Sequence, residues 1–436
     1  TEAANNYLKL GKNSPKKIIL NDQIRTFRIA ISSTGEYTSY WADDDDSNGS
    51  NQEDALAAVV STLNRVNAIF EQDLNIRLEL VSDVSLLYED SNTDPFNGNF
   101  ASELQTTLDT EIGDAGYDLG HLFDFGEPNG DAGCVGCVCI SNKKGQGFST
   151  HPFIDIYGGI YRNDYFDLDY VGHEIGHQFG AYHTFSYNNE GYGFSVEPGS
   201  GTTIMGYAGI TGPDDVQLHG DPYFHYYSIQ NITNVVNSLS CGRTEVLSTS
   251  SVLIDAGPDY FIPIGTPYEL SINPLEGEGV TYSWEQLDSG QITSDSFGPI
   301  NAIGGMARSL SPKAEANRII PNLQSVLWNN LTLENPKVGD SWETVSLVER
   351  DLVWGLTVRK NMGDHIKLFQ DKMKVSVIAT SSPFAVTSQA ISSLIIKGGS
   401  YQKIAWNVAE TNSQPINVSE VEILLSSDGG INFDIH

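Results

Sequence analysis

Basic residues are scarce in this chain: 24 Lys and Arg face 56 Asp and Glu, for a net charge of −32. Such a surface repels phosphate backbones and anionic membranes, which argues against nucleic-acid binding and favours solubility. The simplest source of the acidity is a solvated surface in a salty or extracellular medium; the run Asp43-Asp44-Asp45-Asp46 offers calcium ligands but lacks the spacing of a defined calcium loop. Long apolar runs are missing as well. None approaches the roughly 20 residues needed to cross a bilayer, so membrane insertion is not expected. No basic, hydrophobic leader opens the sequence, and Thr1 stands where Met would begin a nascent chain; a trimmed, exported fragment is the expectation. Cysteine is sparse: Cys134, Cys137, Cys139 and Cys241 are the only four. A Cys-x-x-Cys pair can bind zinc, but no second pair or suitable His partner accompanies it, so structural disulfides are favoured. Of the three pairings four cysteines permit, the preferred one joins Cys134 to Cys137 and staples Cys139 to Cys241, tying the middle of the first domain to its final helix.

With 39% hydrophobic residues and 18% charged ones, the chain can bury substantial cores. At 436 residues three domains are expected. Phe27, Ile29 and Ile31 alternate over residues 25–33, and Ile76, Leu78 and Leu80 over 75–81, which predicts two strands. Between them Leu56, Val59, Val60, Leu63, Val66 and Phe70 recur at three- and four-residue steps, predicting an amphipathic helix laid on a sheet. A helix near 101–112 and a strand near 118–125 continue the alternation, and Ile229, Ile232, Val235, Val236 and Leu239 mark a closing helix. The first domain, residues 1–245, therefore reads as α/β (α+β). From about 250 the helical period gives way to short alternating runs at Tyr268–Ile272, Val280–Trp284, Leu352–Val358 and Met373–Ile378, the pattern of a β-sandwich over 250–381. Further runs at 394–396, 404–408 and 421–425 begin another all-β unit over 382–436. It is short of the roughly 100 residues of an immunoglobulin-like sandwich, so a partial, truncated domain is expected there. No fixed-period repeat is present.

The chemistry lies in Asp169-Tyr-Val-Gly-His173-Glu174-Ile-Gly-His177-Gln-Phe-Gly180-Ala-Tyr-His183, which contains H-E-x-x-H-x-x-G-x-x-H. On a helix His173 and His177 present their imidazoles to one point, while Val171, Ile175 and Phe179 form the opposite, apolar stripe. Gly180 allows the helix to end in a left-handed residue, so that the chain swings His183 back. Three neutral imidazoles leave a zinc ion its full charge and an open position, and Glu174 is placed to act as general base toward water bound there. The spacing marks a catalytic site; closed structural sites usually carry four protein ligands and favour Cys. His121 falls in a predicted strand and reads as packed, and His151, His219, His225, His365 and His436 lack ligand spacing.

This pattern resembles that of the metzincin metallopeptidases. Thr203-Ile204-Met205-Gly206-Tyr207 resembles the clan's methionine-bearing turn beneath the metal ligands, and Tyr207 resembles the tyrosine that in astacin-like and serralysin-like members stabilises the oxyanion. Within the clan, Phe27-Arg-Ile-Ala-Ile-Ser-Ser-Thr-Gly-Glu-Tyr37, Tyr117-Asp-Leu-Gly-His121 and Glu197-Pro-Gly-Ser-Gly-Thr-Thr-Ile-Met205 are most similar to the reprolysin (adamalysin-like) branch, in its secreted bacterial form. Over roughly residues 20–245 the resemblance implies a twisted five-stranded sheet above a largely irregular lower subdomain, with a cleft where a peptide pairs with an edge strand. Thr184 stands where venom-type and mammalian reprolysins place Asp after the third His, and their calcium ligands have no identifiable counterpart, which leaves Ca²⁺ an open second ion beside Zn²⁺. Arg318-Ile-Ile-Pro-Asn-Leu323, Trp354-Gly-Leu-Thr-Val358 and Val421-Glu-Ile-Leu-Leu-Ser-Ser-Asp-Gly-Gly430 resemble PKD-like and immunoglobulin-like modules, which implies spacing, docking or export roles without catalytic residues. The functional reading is a secreted, monomeric zinc endopeptidase acting on protein or peptide substrates. The alternative is an extracellular adhesive protein with a vestigial peptidase fold, in which the base or a ligand should have been lost; all four residues are present.

Overall fold

The computed structural model describes residues 18–19, 23–43, 45, 47–81, 84–154, 161–247, 254–389, 394–429 and 432–433; Asp44 and Asp46 of the acidic run, and His436, lie outside them. The two-residue strand β1 (Ile18–Ile19) belongs to a second sheet considered below. The first sheet is built on β2 (Gln23–Ser33), flanked in parallel by β3 (Ile76–Leu80) and β4 (Leu119–Asp124). Short β6 (Gly147–Thr150) continues the sheet beside β4, and β5 (Asn129–Asp131) closes it as an antiparallel edge.

Both faces of β2 are covered, so its alternating residues feed two cores. Phe27, Ile29 and Ile31 pack with Val59, Leu63, Val66 and Phe70 of α2 (Asn51–Leu74), which follows α1 (Gly35–Trp41). Ala30 and Leu122 face Leu104 and Leu108 of α3 (Phe100–Glu111). α2 starts at a capping box between Ser50 and Glu53 and stops at Asn75 in the left-handed conformation, which makes it longer than its apolar stripe. Val60, assigned to that stripe from spacing, is instead 40% exposed. A sixth strand joins the five expected: β7 (Arg243–Val246) pairs antiparallel with Gln23–Thr26. The reason is length, because β4 pairs β2 only from Ile29 onward and leaves the start of β2 with an open edge.

The second unit holds β8 (Tyr260–Pro263), β9 (Tyr268–Ser271), β10 (Val280–Gln286), β11 (Asn317–Ile320), β12 (Arg350–Asn361) and β13 (Ile366–Ile378). One sheet runs β1-β13-β12-β10 with β8 parallel to β13; β9 and β11 pair separately. Leu270 and Ile320 from that second pair share a core with Trp284, Trp354 and Val375. The two units meet over buried polar contacts. Arg359 of β12 donates to Asp73 of α2 from Nε at 2.6 Å and from a terminal nitrogen at 3.0 Å, with both side chains almost completely enclosed.

Beyond residue 382 only β14 (Ala385–Val386) and β15 (Trp406–Asn407) pair among the described residues. The runs at 394–396 and 421–425 form no strand, Leu425 alone making an isolated bridge. Their apolar residues, Ile395 at 93% exposure most of all, have no sheet across from them to be buried against.

Candidate metal centre

The segment with the signature enters as a wide helical turn over Phe166–Gly172 and tightens into α4 (His173–Gln178). Phe166, Leu168, Val171, Ile175 and Phe179 are buried, and Phe179 meets Phe27 and Phe70 edge-on at 5.1 and 5.8 Å between ring centres. That apolar contact fixes which way the opposite stripe points. Met205, fully buried, supports the helix at Gly176, where a Cβ would stand 2.7 Å from the Met205 sulfur. The helix stops at Gly180, whose φ is +110° and whose Cβ would lie 2.5 Å from Val235. Ala181 N–H reaches back to the Gly176 carbonyl at 3.0 Å and Gly180 N–H to the His177 carbonyl at 2.8 Å, a Schellman-type closure.

The cysteine-rich loop docks on this helix end. Gly136 N–H donates to the His177 carbonyl at 2.9 Å, adding to the bond from Gly180, and Val138 N–H to the Gln178 carbonyl at 3.2 Å, so the loop supplies donors to the carbonyls at the helix end. Its disulfides are Cys134–Cys137 and Cys139–Cys241, the pairing preferred from sequence. The second anchors the loop just past the last helix of the first unit, α5 (Tyr226–Ser238).

His183, returned by the turn at Gly180, completes a trio. Its Nε2 lies 3.0 Å from Nε2 of His177, which lies 3.1 Å from Nε2 of His173. Among the described residues this is the only cluster of three or more His, Cys, Asp or Glu close enough to share an ion. The other ring nitrogens are all held: Nδ1 of His173 by the Ile204 carbonyl at 2.7 Å, that of His177 by the Ala181 carbonyl at 2.7 Å, and that of His183 by both Glu190 oxygens at 3.0 Å. Carbonyl oxygens and ionised carboxylates only accept, so each proton sits on Nδ1 and three Nε2 lone pairs face one another. Without a cation that arrangement is repulsive. Zinc bound tetrahedrally at about 2.0–2.1 Å would separate two such nitrogens by about 3.3 Å, close to the spacing seen. Burial lowers the pKa of all three rings, that of His183 to about 3, which keeps them in the neutral form that ligates metal.

Glu174 sits beside this cluster with its carboxylate against β5, where a Cβ on Gly130 would stand 2.5 Å from Oε1. Burial first, and then the charge of Asp131, push its carboxyl up to about 8. The Tyr207 ring lies 5.4 Å from that of His173 and 4.7 Å from that of His183, and burial, reinforced by Glu174, holds its hydroxyl protonated.

Spacing alone did not single out Gly130, Glu190 or Glu197 as individual site residues. Glu197 is enclosed and accepts from Thr202 N–H at 2.7 Å, Thr203 N–H at 3.1 Å and the Thr203 hydroxyl at 2.7 Å, fixing the turn that leads into Met205. The remaining histidines serve other ends. His121 is buried between Gln178 and Ser149, and His151 packs among Phe153, Tyr161 and Tyr170. His219 lies between Asp164 and Asp169, His225 is enclosed 4.0 Å from Glu285, and His365 pairs with Asp364.

Residues 23–242 match the model of a family described as Metallo-peptidase family M12B Reprolysin-like. Nothing among the curated proteins matches the chain. The matched span is just over half the sequence and contains every residue of the His cluster, whose donor set suits zinc. A family defined by metal-dependent proteolysis and a site built to hold a metal thus coincide in one stretch, and the chain belongs to the reprolysin-like zinc metallopeptidases of family M12B.

Proposed function

We propose that the protein is a secreted endopeptidase hydrolysing peptide bonds of proteins, with His173, His177 and His183 as metal ligands and Glu174 as general base. One observation carries this reading: three imidazoles anchored through Nδ1 converge beside a buried carboxylate. Zinc, when bound, supplies Lewis-acid charge that acidifies water and polarises a carbonyl. Glu174 takes the proton of the water whose oxygen adds to the scissile carbonyl carbon, and delivers it to the amide nitrogen as the C–N bond breaks. The Tyr207 hydroxyl donates to the oxygen on which negative charge develops. β5, at the sheet edge, offers the substrate backbone a strand to pair with, and Gly130 lets the two approach Glu174.

Met205 and Gly180 shape the site without touching substrate. The catalytic domain would span 1–245, followed by a PKD-like or immunoglobulin-like sandwich at 250–381 and a further β unit at 382–436. Two disulfides support export, and no helix among the described residues is long and apolar enough to cross a membrane. The test is direct. Purified protein should cleave casein or gelatin, a chelator should abolish cleavage, and Glu174→Gln should keep its zinc while losing turnover by about 10²–10⁴-fold. Undiminished cleavage by that variant removes the mechanism.

A further inference from the structure

We infer that the second unit is a working part of the cleft: residues 290–309 and Trp342 are positioning elements for the loop that carries Met205 and Tyr207. The inference rests on the peptidase reading above. Between Phe185 and Gly220 the chain forms no strand and no helix longer than one turn, yet Val196, Glu197, Ser200 and Thr202 are buried. Backbone without its own ladder has to find hydrogen bonds elsewhere, and here many come from the second unit.

Gly199 N–H donates to the Ile292 carbonyl at 3.0 Å, Ile292 N–H to the Ser186 carbonyl at 2.8 Å, and Gly290 N–H to the Ser195 carbonyl at 3.0 Å. Further along, the Thr202 hydroxyl donates to the Ser309 carbonyl at 3.0 Å, and Ser294 N–H to Asp214 at 2.6 Å. Apolar packing backs these bonds. Val216 from the loop shares a buried cluster with Ile292, Phe297 and Trp342, and Trp342 lies so close to Gly199 that a Cβ there would stand 2.8 Å from its ring. From that contact to the metal cluster is a short path. The Ser200 carbonyl accepts Tyr207 N–H at 2.7 Å, and the Tyr207 ring faces His183. Removing the indole should therefore loosen Gly199, Ser200 and Tyr207 together, although Trp342 lies outside the matched family span.

The experiment compares full-length Trp342→Ala and Trp342→Phe with Val375→Ala, a control in the second unit's own core. Amide hydrogen exchange at Gly199 and Tyr207, zinc affinity by chelator competition, and kcat and KM on casein are measured. Trp342→Ala should speed exchange at both amides by about tenfold or more, weaken zinc binding and lower kcat/KM, mainly through kcat. Trp342→Phe should restore most of this, and Val375→Ala should change none of it. Wild-type protection of Gly199 and Tyr207 in folded Trp342→Ala overturns the inference. If Trp342→Ala does not fold, Thr202→Val decides by the same readout, since it removes one cross-unit bond and no bulk; unchanged protection of the loop amides again overturns it. A wild-type protein that cleaves nothing would sink the peptidase reading alone, because exchange and metal affinity still report on the brace.

Discussion

Between β5 and α4 the backbone of Gly130 runs so near Glu174 that a methyl group there would overlap the carboxylate. Gly130→Ala should therefore move the base without touching a metal ligand. The expected outcome is a fall in kcat of about 10²-fold with zinc content unchanged, since a displacement on the order of 1 Å is enough to spoil proton transfer; equal kcat in the variant and the parent would show that the carboxylate tolerates the shift. The residues that could be read in advance share one property. His173, Glu174, His177 and His183 are joined by the geometry of one helix and one turn, so their spacing reports their meeting. Gly130 and Glu190 meet the site through sheet topology and loop path, for which the chain offers no local period. Met205 and Tyr207 were legible only because their turn resembles a known one.

Elements with a clear period were equally open to reading. β2, β3, α2, α3 and α5 lie where alternation or helical spacing puts them, as do β9, β10, β12 and the second half of β13, whereas β8 and β11, of four residues each, carry no run long enough to read. β5, β6 and β7 do not announce themselves: each has three or four residues, and β7 is exposed throughout, so no apolar alternation can develop. The helix entering α4 hides another feature. Asp164 and Asp169 grip His219 from both sides, Nε2 to Asp164 at 2.9 Å and Nδ1 to Asp169 at 2.5 Å, while Arg65 pairs with Asp164 and the Tyr165 ring lies across the imidazole. Burial alone would lower the His219 pKa, but the two carboxylates outweigh it and lift the value to about 9. A folded pKa above the unfolded value of about 6.5 gives stability that is complete below that pH and lost as pH rises through about 9. The Tm of the parent should therefore exceed that of His219→Gln at pH 6 and converge on it by pH 10. A gap independent of pH would mean that the clamp acts through packing alone.

Across the whole molecule the buried pair Asp73–Arg359 ties α2 to β12, with further bonds from Arg359 to Ser283 and from Phe224 N–H to Asp73. Removing one partner strands the other charge in a dry junction. Asp73→Ala should lower unfolding free energy by about 3–5 kcal/mol in urea, whereas Asp73→Leu with Arg359→Met should recover most of it, because paired charges gain little over apolar packing. A loss below about 1 kcal/mol in the single variant would show that water reaches the pair. The junction also bears on inheritance. A recombination event that cut the gene near codon 248 and supplied a foreign β-module would pass on every metal ligand and yet leave Gly199 without Ile292 and Trp342 behind it. Descendants of this architecture are thus constrained to keep both halves together, or to rebuild the missing buttress before the exchange is tolerated.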